Sequence, residues 1–193
     1  TKIKQIIDAM VSTGMRDAGY KYVNLDDNWM ANPARNAAGD LIADPVRFKS
    51  GIKSLSDYAH SKGMKLGIYG DRGSMTCMNI PKSGSYGNEE RDAKTFASWG
   101  VDYLKYDNCN TVGEIRSDYE KMAAALAKSG REIMFSVCAW HTQEWMPQTG
   151  QLWRSTDDIT ADWFPSANIY GRSVLASLDG NAGNFIFSRI GSW

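Results

Sequence analysis

Charge of one sign is missing from this sequence. Its 22 basic and 22 acidic residues cancel, so no general electrostatic attraction to nucleic acid or to an anionic membrane is expected. No basic run interleaved with aromatics occurs. No apolar run reaches the roughly 20 residues that a membrane-spanning helix needs. Neither nucleic acid nor a membrane is therefore expected as a partner. Histidine is scarce: there are two, His60 and His141. His60 falls in a helical stretch and reads as solvated surface, and His141 falls in a loop after a strand. A Ser-His or Cys-His nucleophilic triad is then a poor fit. Cysteine is scarce as well, at Cys77, Cys109 and Cys138. Three cannot all pair, and no CxxC or Cys/His zinc spacing is present. One disulfide with a free thiol, or three free thiols, both remain open. No GxGxxG or GxxxxGK follows a strand, so the usual signature of a nucleotide fold is absent. No N-x-[ST] acceptor occurs either.

What is present is a rhythm. The chain has 193 residues, enough for one sizeable core and too few for two typical domains. Ile3, Ile6, Ile7, Met10 and Val11 predict a helix within the first 19 residues. YKYVNLDD follows as a strand, and NPARNAAGDLIADPVRF reads as a polar loop. Ile52, Leu55, Tyr58 and Ala59 predict a second helix that Gly63 stops. MKLGIYGD is a strand, a Gly- and Ser-rich loop runs to Tyr86, and NEERDAKTFASWG is a helix whose acidic first turn suits its dipole. VDYLKYDNC is a strand and VGEIRSDYEKMAAALAKSG the clearest helix. REIMFSVCAW is a strand, TQEWMPQTG a short helix or turn, and QLWRSTDDI a strand. FPSANIYGRSVLASLDG reads as a helix and NFIFSRIGSW as a last strand.

Strands that alternate with helices imply βαβ units and a parallel sheet. A doubly wound sheet and a (β/α)8 TIM barrel both fit. The strand ends favour the barrel. They carry Asp26 and Asp27, then Tyr69 and Asp71, then Lys105 and Asp107, then Cys138 and Trp140, then Arg154, Asp157 and Asp158. A barrel brings the C-terminal ends of all its strands to one face, whereas an open sheet gathers only a few. Six strands cannot close an eight-stranded barrel. The chain also starts at Thr1 in a helical pattern, without an initiator Met or signal peptide, and stops at RIGSW. Both ends read as cut, and residues 1–193 are expected to be part of one catalytic barrel.

Carboxylates, one Lys, one Arg, Trp and Tyr converge there without a histidine. Several carboxylates could hold a divalent metal, but Lys105, two residues before Asp107 on the same side of the strand, works against one. No metal is expected. The same lysine favours an ionised Asp107, which suits a carboxylate nucleophile. Asp158 follows the apolar stretch QLW and is placed in a drier setting, suited to an acid. Two carboxylates with separated tasks are what glycoside hydrolysis needs. Seven Trp in this length also supply rings that fill cores or stack on sugars.

YVNLDDNWM, SKGMKLGIYGDRGSMTC, DAKTFASWGVDYLKYDNC, IMFSVCAW and WRSTDDI also follow one another in the order and spacing of glycoside hydrolase family 27. The sequence resembles that family, the retaining α-galactosidases (melibiases) and α-N-acetylgalactosaminidases, over nearly its whole length. The resemblance implies a (β/α)8 barrel that releases terminal α-D-galactose from oligosaccharides or glycoconjugates, with no cofactor. It implies that Asp107 is the nucleophile and Asp158 the acid/base, while Asp157 is not catalytic. It assigns Asp26 and Asp27 to the sugar's 4- and 6-hydroxyls, and Tyr69, Lys105, Trp140 and Arg154 to substrate binding. It pairs Cys77 with Cys109 and leaves Cys138 free. A disulfide there is compatible with a secreted, periplasmic or lysosome-like compartment.

Two departures bear on function. Asn28 stands where many members have Cys. Ala139 stands where the fifth strand often carries a Glu that contacts the sugar's 2-position. The same chemistry on an α-N-acetylgalactosaminide, an isomaltose-type α-glucoside or a β-L-arabinopyranoside is therefore the alternative. A catalytically inactive carbohydrate-binding barrel is the alternative from another class, and the retained Asp107, Asp158, Lys105 and Arg154 speak against it.

Overall fold

A computed structural model describes residues 2–155 of the chain. The expected FPSANIYGRSVLASLDG helix, the NFIFSRIGSW strand and Asp158 lie outside the described residues. Five helices and seven strands lie within them: α1 Lys2–Ser12, β1 Tyr22–Asn24, β2 Met30–Arg35, β3 Leu41–Ala43, α2 Gly51–Ser61, β4 Lys65–Asp71, α3 Glu89–Ser98, β5 Tyr103–Asp107, α4 Ile115–Lys128, β6 Met134–Val137, α5 Met146–Thr149 and β7 Leu152–Trp153. Five strands form one parallel sheet in the order β1-β4-β5-β6-β7. None of the described helices is long and apolar enough to cross a membrane.

The helices form where the apolar spacing predicts. Ile52, Leu55 and Ala59 turn one face of α2 into the core, and Gly63 follows in a left-handed conformation (φ 68°) that ends the helix. In α4, Tyr119, Met122, Ala125 and Leu126 are buried, and the Glu114 side chain caps the first turn by accepting from the Arg116 and Ser117 N–H groups. Acidic Glu89, Glu90 and Asp92 open α3, where the helix dipole favours negative charge. In α1, Ile7 is buried but Ile6 is exposed. The apolar stripe is therefore narrower than the sequence suggested.

Alternation along the strands divides the residues between two faces. On β5, Leu104 and Tyr106 are fully buried, and the Tyr106 ring meets Tyr119 of α4 and Phe135 of β6. Burying each such side chain contributes about 1.5–3 kcal/mol. Lys105 and Asp107 take the opposite face. Adjacent strands are in register, with Tyr69 opposite Lys105 and Asp71 opposite Asp107.

One expectation needs correction. The segment read as a polar loop contains an antiparallel hairpin, β2 with β3. Its Met30, Ala31, Ala34 and Leu41 are buried, and Asn36 and Asp40 close its turn with Gly39 at φ 89°. Arg35 pins it to α3 through a two-pronged bond to Asp92, at 2.6 and 2.7 Å. Pro33 concealed the strand, because proline cannot donate to a ladder. His60 is exposed, as expected, and is also paired. Its ring nitrogen meets Asp102 Oδ2 at 2.7 Å, at the opposite end of the sheet from the polar strand ends. Asp102 also accepts from Arg131 and from the Leu66 N–H.

Candidate active site

Five of the expected residues form one connected cluster at the strand ends. Asp26, just past β1, takes the Lys105 ammonium at 2.8 Å. The same ammonium lies over the Tyr69 ring, 5.2 Å from its centre. The Tyr69 hydroxyl donates to Asp107 Oδ2 at 2.9 Å. The Trp140 indole N–H donates to Asp107 Oδ1 at 3.0 Å, and the Asn108 N–H reaches that same oxygen, also at 3.0 Å. Asp107 is 7% exposed. Its carboxylate therefore meets donors from the ends of three adjacent strands.

The sequence paired Lys105 with Asp107. The lysine pairs instead with Asp26, which comes from the neighbouring side of Tyr69. Partial burial pulls the Lys105 ammonium down, but the Asp26 hydrogen bond and charge outweigh it and leave it raised. Burial, with the charges of Asp107 and Asp71 behind it, pushes the Tyr69 phenol up, so it remains a donor.

Asp27 lies beside the cluster. Its Oδ2 accepts from the Met78 N–H at 2.9 Å, which ties the loop after β1 to the loop that carries Cys77. Cys77 and Cys109 form a disulfide, so the loops after β4 and β5 are joined next to Asp107. Arg72 adds a second tie: its backbone N–H donates to the Asp107 carbonyl at 3.1 Å, and its guanidinium makes a buried ion pair with Asp118 at 2.7 Å. Cys138 is a buried free thiol. Burial and then the Asp107 charge push it up to about 12. Arg154 follows β7 with its N–H on the Val137 carbonyl at 2.8 Å, and its side chain reaches the Cys138 thiol.

Trp140 reaches Asp107 only through an unusual backbone, with φ 67°. A bulky residue rarely adopts this conformation, and such strain gathers at functional sites. Asp71, noted in the sequence only as a strand-end residue, is fully buried beside Asp107. Its period-two spacing from Tyr69 was the signal that both share a face. One oxygen or sulfur atom each from Asp71, Asp107, Cys77 and Cys109 lie within 4.8 Å of one another. Both sulfurs are in the disulfide, so the cluster offers a metal only two carboxylates.

Comparison with known proteins gives a consistent likeness. The profile of a family described as Melibiase_2, alpha galactosidase A, matches residues 1–177. Alpha-galactosidase 2 of Arabidopsis thaliana is 49% identical across 100% of this chain and 47% of its own length. The crystal structure of a protein from Bacteroides fragilis, titled a putative alpha-galactosidase, superposes with a TM-score of 0.81 and 44% identity, over 94% of this chain and 40% of that one. The Saccharomyces cerevisiae alpha-galactosidase solved with raffinose superposes with a TM-score of 0.78 and 36% identity, over 83% of this chain and 36% of that one. The parallel sheet is thus part of a (β/α)8 barrel. The chain spans about half the length of the curated relatives it matches.

Proposed function

This chain belongs to the melibiase family, glycoside hydrolase family 27, and on that basis we propose that it is part of the catalytic barrel of a retaining exo-α-galactosidase. Asp107 is the nucleophile. It attacks the anomeric carbon of a terminal galactose, and the leaving oxygen takes a proton from Asp158. A glycosyl ester on Asp107 results. Asp158 then removes a proton from water, the water oxygen replaces the carboxylate, and galactose leaves with its configuration retained.

The observation that carries this assignment is the hydrogen-bond set on Asp107. Tyr69, Trp140 and the Asn108 N–H hold both oxygens in one orientation, and an oriented nucleophile meets the anomeric carbon with much of the entropic cost already met. Lys105, Asp26 and Asp27 present charged partners to the sugar hydroxyls, and Trp140 and Arg154 border the same space. Ala139 favours the second reading, the same chemistry with another sugar, because β6 continues into a methyl group rather than a carboxylate. Initial rates of the full-length parent protein on p-nitrophenyl α-galactoside, α-N-acetylgalactosaminide, α-glucoside and β-L-arabinopyranoside decide between them. The Asp107→Asn variant of that protein is expected to lose at least about a thousandfold in kcat and still bind galactose. Retained turnover overturns the nucleophile assignment.

A further inference from the structure

Asp71 has no task in the chemistry above, yet its carboxylate is fully buried next to the Asp107 side chain. Taking a carboxylate out of water costs several kcal/mol unless partners offset it. The neighbouring Arg72 does not supply one, since its guanidinium turns to Asn108, the Gly113 carbonyl and Asp118. Backbone holds Asp71 instead. The Gly73 N–H donates to Oδ1 at 2.7 Å and the Cys109 N–H to Oδ2 at 2.9 Å. Burial, with the charges of Asp107 and Asp27 adding to it, pushes its carboxyl up to about 7 against the pull of those two N–H groups.

The partners of Asp71 are what give it a task. Gly73 belongs to the loop after β4, and Cys109 lies two residues beyond Asp107. The two loops touch: a Cβ on Gly73 would lie 2.0 Å from the Cys109 carbonyl oxygen, so only glycine fits. The Tyr69 hydroxyl then links the two carboxylates, 2.9 Å from Asp107 Oδ2 and 3.5 Å from Asp71 Oδ2. Resting on the assignment of Asp107 as nucleophile, we infer that Asp71 is its positioning residue, fixing the Cys109 backbone and the Tyr69 hydroxyl that together orient the Asp107 carboxylate.

Asparagine at this position keeps one oxygen for one N–H. Its NH2 then faces the other N–H, donor against donor, and one loop must shift. A misplacement of about 1 Å at a reacting group can cost on the order of a hundredfold in rate. Substrate contacts to Lys105, Asp26 and Arg154 are left in place.

The test uses the full-length parent protein and the variants Asp71→Asn, Tyr69→Phe and the two combined. Steady-state rates are read on p-nitrophenyl α-galactoside. The first chemical step is read as inactivation by an activated 2-deoxy-2,2-difluoro-α-galactoside. Its leaving group is displaced by the nucleophile, and its fluorines slow hydrolysis of the resulting ester. Peptide mass spectrometry locates that ester. The expected result for Asp71→Asn is a loss of about 10- to 100-fold in kcat and in inactivation rate, with KM within about threefold. The double variant loses much less than the product of the single losses, because both changes act on one hydrogen-bond unit. A wild-type inactivation rate in Asp71→Asn, or losses that multiply, overturns the inference. Should Asp71→Asn not fold, Tyr69→Phe decides. A slowed inactivation supports the link between the carboxylates, and an unchanged one removes it. Wild-type protein labelled at a residue other than Asp107, or not at all, refutes the nucleophile assignment itself, a result distinct from every failure at Asp71.

Discussion

Lys105 and Asp26, 79 residues apart, meet at 2.8 Å over the ring of Tyr69. The pair joins the end of β5 to the end of β1 across β4. Lys105 is held against Asp26, so under the proposed function its ammonium is in place as a donor before any sugar arrives. Hydrogen bonds to charged groups contribute about 1.5–3 kcal/mol each. Lys105→Ala and Asp26→Asn are each expected to weaken galactose inhibition of the full-length protein by about 10- to 100-fold. The combined variant should be little weaker than either single one, because each change breaks the same pair. Inhibition constants for the three variants check this, and simple multiplication of the losses would show that the two residues act separately.

Arg35 and Asp92 form a two-pronged ion pair with side-chain exposures of 7% and 0%. It is the main polar tie between the β2–β3 hairpin and α3. Removing one partner leaves the other charge buried and alone, which costs about 3–5 kcal/mol. Arg35→Ala should therefore lower the urea midpoint sharply. Arg35→Met with Asp92→Leu should recover much of the loss. A combined variant no better than the single one would show that the pair's hydrogen bonds matter more than its buried charge.

Asp71 gives stability a defined dependence on pH. Burial raises its carboxyl from 3.8 to about 7, so the fold favours its protonated form. That contribution is fully present below about pH 4. It declines as pH rises towards 7 and is gone above that, with a slope of up to about 1.4 kcal/mol per pH unit. Asp71→Asn cannot titrate. The stability of the wild type relative to this variant should therefore fall between pH 4 and 7 and level off above 7. Urea midpoints of both proteins across that range provide the measurement. A constant difference would mean that Asp71 is no harder to ionise in the fold than out of it.

The cysteines give a chemical readout. Cys77 and Cys109 are bonded across 32 residues, and Cys138 is buried with its thiol pushed up to about 12. The thiolate is the reactive form. Iodoacetamide at pH 8 should label none of the three positions in native protein, Cys138 alone in urea, and all three after reductant. Peptide mapping checks each step. Labelling of Cys77 or Cys109 in urea without reductant would contradict the disulfide. Cys77→Ser should cost about 4 kcal/mol, on loop-closure grounds, and slow turnover by the full-length protein as well, since the bridge joins the loops after β4 and β5 next to Asp107.

Much of this organisation was legible from residue spacing. Ile52, Leu55 and Ala59 announced α2, and the turn from period 3.6 to period 2 marked β4 and β5. Polar residues closing one strand after another pointed to a single polar face, where five of them meet. The partners of those residues were not legible. Lys105 is two residues from Asp107 in sequence, yet its ammonium goes to Asp26, because parallel pairing with β4 and β1 sets the distances. The hairpin was hidden by Pro33, although Gly39 in the short polar stretch before Leu41 was a usable turn signal. Asp71 looked like an ordinary strand end. Its importance depends on burial and on an N–H from Cys109, 38 residues away. The Cys77–Cys109 pairing came from family resemblance, since spacing alone left the alternatives open.

The apolar face of β5 also fixes which atoms are available for chemistry. Slide β5 by one residue along β4, and the ladder could be bonded just as well. Lys105 and Asp107 would then point into the helix layer, and Tyr106 would stand where the proposed nucleophile belongs. Leu104 and Tyr106 forbid this, because both are fully buried against the helices and have no other place to go. The oily side of the strand thus acts as the alignment gauge for its polar side. A substitution at Leu104 can therefore put the Asp107 carboxylate out of alignment.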